Sequence, residues 1–212
     1  MLRRLGLHQH QKRQPAALGQ GHVYLQPLER EGIEGPGEVT RLAASVWSPF
    51  MHSVSLTGGE PLLQSVELQL LLPQLKEEGM PIYLETNGTL YEALEAVLPW
   101  VDFIAMDVKL PSSQEGRDLI EEQRRFLRGA RARRLYLKAV VDEMTEEREL
   151  EHTCRILSGE TCDVPFVLQP ATPMRGEGWV TVQRISDLCR VAAAFFPDVR
   201  VIPQAHRVWG VR

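Results

Sequence analysis

The sequence predicts an α/β fold built on a parallel sheet, and three observations carry that expectation. From Met51 onward, short apolar or β-branched runs alternate with longer amphipathic ones, which is the text of repeated βα units. The intervening segments are long enough for the right-handed return that parallel strands require. A chain of 212 residues, 43% hydrophobic and 25% charged, also suits one globular domain with its own core.

Residues 1–37 come first and show no sustained helical or strand period; they hold three histidines, many glutamines and the punctuation Gly35-Pro36-Gly37. A short helix is expected over Val39–Trp47, where Val39, Leu42, Ala43 and Val46 share one face. The strands then read Ser53–Thr57, Pro81–Glu85, Phe103–Asp107, Arg134–Val140, Pro165–Leu168 and Val199–Ile202. Helices fill 66–78, 90–98, 116–129, 145–158 and 180–195. The organisation is a poorly patterned segment, 1–50, followed by a βα domain, 51–212. An incomplete βα barrel and an open doubly wound sheet both satisfy these elements, and periodicity does not choose between them.

Composition excludes several roles. A formal charge of −4 and a pI near 5.9 supply no global attraction to nucleic acid. The basic run Arg124, Arg125, Arg128, Arg131, Arg133, Arg134 reads as a solvated helix face. Apolar runs such as Val66–Pro73 fall far short of the roughly 20 residues of a bilayer span, and residues 1–20 carry no secretory apolar region. Three cysteines, Cys154, Cys162 and Cys189, point to a reduced cytoplasm rather than a disulfide scaffold and read as buried structural thiols.

In either architecture the ligand face lies at the carboxyl ends of the strands. Polar and glycine residues gather there: Thr57-Gly58-Gly59-Glu60, Glu85-Thr86-Asn87-Gly88, Asp107-Val108-Lys109 and Gln169-Pro170-Ala171-Thr172. Two glycines allow backbone carbonyls to approach a bound group, and Glu60 supplies negative charge for an ammonium ligand. Pro61 fits a first helical turn, so a tight turn with a capping acid is the alternative reading of the same residues.

The decapeptide Ser55–Gln64 resembles the GGEP motif with which radical S-adenosylmethionine enzymes bind the amino group of their cofactor. Leu84–Thr89, Asp102–Lys109, Leu168-Gln169-Pro170 and Val201–His206 look like consecutive segments of the 7-carboxy-7-deazaguanine synthase family. The resemblance covers about residues 52–212 and implies a partial, TIM-like βα barrel of the radical SAM type. It also implies a lyase of queuosine and deazapurine biosynthesis that converts 6-carboxy-5,6,7,8-tetrahydropterin to 7-carboxy-7-deazaguanine. S-adenosylmethionine, a 4Fe–4S cluster and Mg2+ are the implied cofactors. A cytoplasmic homodimer and a separate electron donor are the implied setting, with no nucleic acid and no membrane.

Carried over by position, Gly58, Gly59, Glu60, Glu85, Asp107, Val108, Lys109, Gln169, Pro170, Ala171 and Thr172 fall in the cofactor cup. Thr57, His206 and the terminal carboxylate of Arg212 fall where the family contacts the pterin; a carboxylate suits an aminopyrimidinone edge. The chain departs from the family in its cluster ligands. The family holds its cluster with C-x3-C-x2-C, whereas the first cysteine here is Cys154, and each of three irons wants a thiolate. Residues 1–50 therefore read as a lost or frame-shifted cluster module, activity is expected to be impaired, and the opening barrel strand is expected to be missing, leaving an exposed edge. The alternative function is a cluster-free, non-catalytic pterin- or nucleoside-binding module.

Overall fold

The computed structural model describes residues 21–23, 35–114, 117–172 and 179–204. Seven parallel strands form one sheet among them: β1 (Gly21–Val23), β2 (Met51–Leu56), β3 (Ile82–Thr86), β4 (Phe103–Val108), β5 (Arg134–Val141), β6 (Phe166–Pro170) and β7 (Val199–Val201). Their order in space is their order in the chain. Helices alternate with them: α1 (Pro36–Val46), α2 (Ser65–Glu77), α3 (Tyr91–Val97), α4 (Ile120–Ala130), α5 (Glu147–Ser158) and α6 (Val182–Ala193).

The strand order decides the architecture. A doubly wound sheet needs a point where the order reverses, so that helices fall on both faces. Here it never reverses, and right-handed crossovers return every helix to the same side. The sheet is a partial βα barrel, with β1 and β7 at its two edges.

One expectation is corrected at the opening edge. Gly21–Val23 pairs in parallel with β2, Gly21 opposite Met51 and Val23 opposite Val54, so β2 is an inner strand. Three residues are too short for periodicity to register, and only pairing across the fold reveals the strand. The expected helix near Val39 forms over Pro36–Val46, with Pro36 in its first turn, and buries Thr40 and Ala43. The Thr40 hydroxyl donates to the Pro36 carbonyl at 2.9 Å.

Strand alternation sorts side chains between two environments. Val54, Ile82, Leu84, Ile104, Met106, Leu137, Ala139, Phe166 and Leu168 meet Leu72, Leu75, Leu94, Phe126, Leu127, Leu150 and Leu188 of the helices in one continuous apolar core. At the amino ends of the strands, Asp102 accepts from Lys76 Nζ at 2.7 and 2.8 Å and from the Ile82 N–H at 2.7 Å. Arginines of α4 point outward: Arg128 grips Glu160 through two bonds, and Arg125 pairs with Glu92 while lying over the Tyr91 ring. Exposed pairs of this kind contribute little to stability. No helix among the described residues is long and apolar enough to cross a membrane.

Phe126 is fully buried where α4 meets the sheet. Phe126→Ala is expected to lower the unfolding free energy by about 3–5 kcal/mol in urea denaturation, through lost transfer energy and the cavity left behind. A loss below about 1 kcal/mol would place Phe126 outside the core.

Candidate functional site

The strand residues that alternate with the core set face the open side of the sheet, away from the helices. Ser53, Ser55, Tyr83, Ala105 and Val167 are buried there, and Tyr83, Ala105 and Val167 stand outside the main apolar core. The Tyr83 and Tyr136 hydroxyls share a short hydrogen bond across this face. Toward the carboxyl ends the lining becomes charged and amide-bearing, with Glu85, Asp107, Lys138 and Gln169 on β3, β4, β5 and β6.

The loops at that end are joined by side chains. Thr57 Oγ1 donates to Glu85 Oε2 at 2.8 Å, linking the end of β2 to β3. Gly58 and Gly59 have φ of 93° and 55°, a left-handed backbone that glycine adopts without strain. A Cβ on either would meet nothing within 4 Å, so the space beside both is open. No described residue donates to either carbonyl.

Glu60 takes the capping role among the two readings of its motif. Its Oε1 accepts from the Leu62 N–H at 3.2 Å and from Thr86 Oγ1 at 2.9 Å, and its Oε2 accepts from the Asn87 N–H at 2.8 Å. It thus caps the 3-10 turn Pro61–Gln64 and clamps the loop after β3. Its charge is largely engaged inside the protein, which leaves the Gly58 and Gly59 carbonyls as the free acceptors of this loop. Gly88 in the clamped loop has φ 70°, and a Cβ there would fall 2.8 Å from Met106 Cγ.

After β4, Lys109 Nζ bonds Asp107 Oδ2 at 2.7 Å, while Asp107 Oδ1 is buried without a hydrogen-bond partner. Val108, between them, sends its side chain into the apolar core, so only its backbone belongs to the cup. Gln169 and Pro170 end β6, the Ala171 N–H donates to the Val141 carbonyl at 2.8 Å, and Thr172 Oγ1 donates to Gln204 Oε1 at 2.5 Å. The structure therefore brings Thr57, Gly58, Gly59, Glu60, Glu85, Asp107, Lys109 and Gln169 to Thr172 to one end of one sheet. His206 and Arg212 lie outside the described residues.

The sequence reading missed Gln123. This side chain, fully buried on the core face of α4, donates through Nε2 to the carbonyls of Asn87 at 2.9 Å and Asp107 at 3.0 Å. Its Oε1 accepts from the Lys109 N–H at 3.3 Å. One amide thus fastens the loops after β3 and β4 together. The available signal was a glutamine in the register of Ile120, Phe126, Leu127 and Ala130, where an apolar residue is expected.

The thiols do not converge on the cup. Cys154 is buried in α5 and its thiol is pushed up to about 12 by burial, Cys189 lies on α6 with its thiol also raised by burial, and Cys162 is exposed in the loop before β6. No group of three His, Cys, Asp or Glu among the described residues could hold a metal ion. The described residues do not fit a 4Fe–4S centre.

No protein-family model matches the chain. Over 183 residues it is 39% identical to the 7-carboxy-7-deazaguanine synthase of Geobacter sulfurreducens, which covers 84% of this chain and 73% of that one. The synthase of the same name from Methanopyrus kandleri is 34% identical over 160 residues, covering 74% of this chain and 59% of that one. A radical SAM methyltransferase of Sphaerobacter thermophilus has a similar fold, with a TM-score of 0.57 and 19% identity, covering 80% of this chain and 57% of that chain.

Two measurements check this geometry. Gln123→Leu strands three backbone groups in the interior and is expected to cost about 2–4 kcal/mol of stability, with faster amide exchange in the Asn87 and Lys109 loops. Unchanged exchange there would remove Gln123 as their fastener. In a thiol-reagent titration at pH 8 the folded chain is expected to expose Cys162 first and Cys154 only on unfolding; three thiols reacting at one rate would contradict the buried placement.

Proposed function

The chain belongs to the 7-carboxy-7-deazaguanine synthase family, and from that membership we propose that its cup binds S-adenosylmethionine beside a bicyclic 6-carboxy-tetrahydropterin. The observation that carries the proposal is the joined set of strand ends: free Gly58 and Gly59 carbonyls, the Thr57–Glu85 pair, the Asp107–Lys109 pair and the Gln169 to Thr172 segment, all on one side of the sheet.

S-adenosylmethionine fits the residues present. Open space beside two left-handed glycines admits the methionine end of the cofactor, whose ammonium is a donor for backbone carbonyls. Gly58, Gly59 and Glu60 would hold that end, Glu85, Asp107, Val108 and Lys109 the middle, and Gln169, Pro170, Ala171 and Thr172 the adenosine. When bound and reduced, the cofactor supplies the one-electron chemistry that begins ring contraction. The chain's own residues bind and orient. Thr57, held by Glu85, faces the substrate, and Glu60 keeps the glycine loop in place by its three internal bonds. His206 and the carboxylate of Arg212 complete the pterin site in this reading, and a cytoplasmic homodimer with a separate electron donor completes its setting.

Among the described residues no group of three His, Cys, Asp or Glu could hold a metal ion. The dispersed thiols favour a second reading, a module that keeps the nucleoside- and pterin-shaped cup without radical chemistry. Anaerobic iron–sulfide reconstitution separates the two. Cleavage of S-adenosylmethionine with an iron–sulfur absorption band supports the enzyme, and binding without either supports the module.

Calorimetric titration of the full chain with S-adenosylmethionine is expected to show one site per chain. Gly59→Val, which forces a β-branched residue into a left-handed backbone and fills the open space, is expected to abolish binding, and a circular dichroism spectrum and melt like those of wild type show that the loss is local to the loop. A wild-type chain that binds neither S-adenosylmethionine nor a pterin would overturn the proposal.

A further inference from the structure

The basic run that the sequence offers as one solvated helix face divides in the structure. Arg124, Arg125 and Arg128 lie on α4 and are paired, with Glu121, Glu92 and Glu160 respectively. Arg131, Arg133 and Arg134 follow the end of that helix, in a turn closed by the Arg133 N–H on the Ala130 carbonyl at 2.9 Å and at the start of β5. There they line an open cleft with Thr161, Cys162 and Asp163 of the connection from α5 to β6. Its volume of about 760 Å³ is that of a small-molecule site. The cleft lies at the amino ends of β5 and β6, one strand length, roughly 25 Å, from the cup.

The cleft is short of acceptors. Among the described residues none of these three arginines is paired with a carboxylate, and Arg134 lies over the Phe103 ring, 5.4 Å from its centroid. Arg133 Nε is buried with no hydrogen-bond partner, and a guanidinium cannot shed its proton to escape that cost. The nearby acids do not cancel the charge. Glu160 already accepts from Arg128 at 2.6 and 2.9 Å and stands 3.7 Å from Arg124, which also pairs with Glu121. Five arginines therefore stand against Glu121, Glu160 and Asp163. The carboxyl ends of α4 and α5 add about half a negative charge each, and an excess of positive charge remains.

Three guanidiniums on one cleft suit a dianion, and a phosphate monoester carries close to two charges at neutral pH, with oxygens that planar fork donors meet in pairs. The rest of the lining narrows the organic part. No aromatic ring lines the cleft, so a nucleobase finds no stacking face. The Thr161 hydroxyl has no partner among the described residues, and the Asp163 carboxylate has only a long contact, 3.8 Å from Cys162 Sγ; both suit hydroxyl groups. We infer that this cleft is a second binding site, for a phosphate monoester of a small polyol, with the phosphate on Arg131, Arg133 and Arg134 and the hydroxyls toward Thr161 and Asp163. The inference goes beyond the proposed function and does not rest on it.

The test uses the full chain, with ribose 5-phosphate, ribose and inorganic phosphate as probes at matched ionic strength. Calorimetry measures binding, and alkylation of the exposed Cys162 by iodoacetamide, followed by mass spectrometry of its peptide, locates it. Ribose 5-phosphate is expected to bind and, at about ten times its Kd, to slow Cys162 alkylation about tenfold, whereas ribose does neither. Arg131→Met and Arg133→Met are each expected to weaken ribose 5-phosphate binding about 10- to 100-fold, and Arg125→Met, on the outer face of α4, by less than about twofold. Arg131 is exposed, so its variant decides the question should Arg133→Met fail to fold. Binding of neither phosphate probe overturns the inference, as does binding that leaves Cys162 unprotected or that survives undiminished in Arg131→Met. Inorganic phosphate binding as tightly as ribose 5-phosphate overturns the polyol assignment and leaves an oxyanion site. S-adenosylmethionine binding is expected to be the same in Arg131→Met as in wild type; its loss in the variant alone would make Arg131 structural and overturn the inference, and its absence from wild type overturns the proposed function alone.

Discussion

Every part of the cup depends on satisfying the backbone and side-chain polar groups where parallel strands end. A βα barrel concentrates loops at that end, and loops carry amides and carbonyls that helices and strands no longer pair. Two side chains meet most of this demand here. Glu60 accepts from Leu62, Thr86 and Asn87, and Gln123 joins the carbonyls of Asn87 and Asp107 to the amide of Lys109. Between them they connect three successive loops into one rigid rim, and the free glycine carbonyls and the Thr57–Glu85 pair are held on it.

The same sheet separates stability from chemistry by face. Residues of one parity pack with α2 to α6 in the apolar core, and residues of the other parity line the cup. The division explains why Val108 and Asp107, adjacent in sequence, belong to different environments, one in the core and one bonded to Lys109. It also explains the position of the cysteines. Cys154 and Cys189 sit on helices of the outer layer, where burial keeps their thiols protonated and far from any thiolate role.

Much of this was legible along the chain. The strand runs near 53, 81, 103, 134, 165 and 199 are dense in apolar or β-branched residues, and each lies within about two residues of an observed strand start. The two glycines before Glu60 marked a tight turn after the strand, and the structure adds that both adopt a left-handed backbone. Helix starts were less readable: α4 begins at Ile120 rather than 116, and α5 at Glu147, where Glu146 and Glu149 form a capping box after the Asp142–Thr145 turn. The strand at Gly21–Val23 left no local trace, since three residues carry no period, and Gln123 was hidden because a lone amide in an apolar register looks like a substitution on a core face.

The sequence alone determined the alternation of βα units and the chemistry at each strand end, because hydrophobic period and turn residues are local properties of neighbouring side chains. Tertiary structure decided what depends on relations between strands. It chose a singly wound partial barrel over a doubly wound sheet, through a strand order that no periodicity encodes. It also engaged the carboxylate of Glu60 inside the protein, because whether an ionised group finds a partner is set by which strands and loops lie beside it in space.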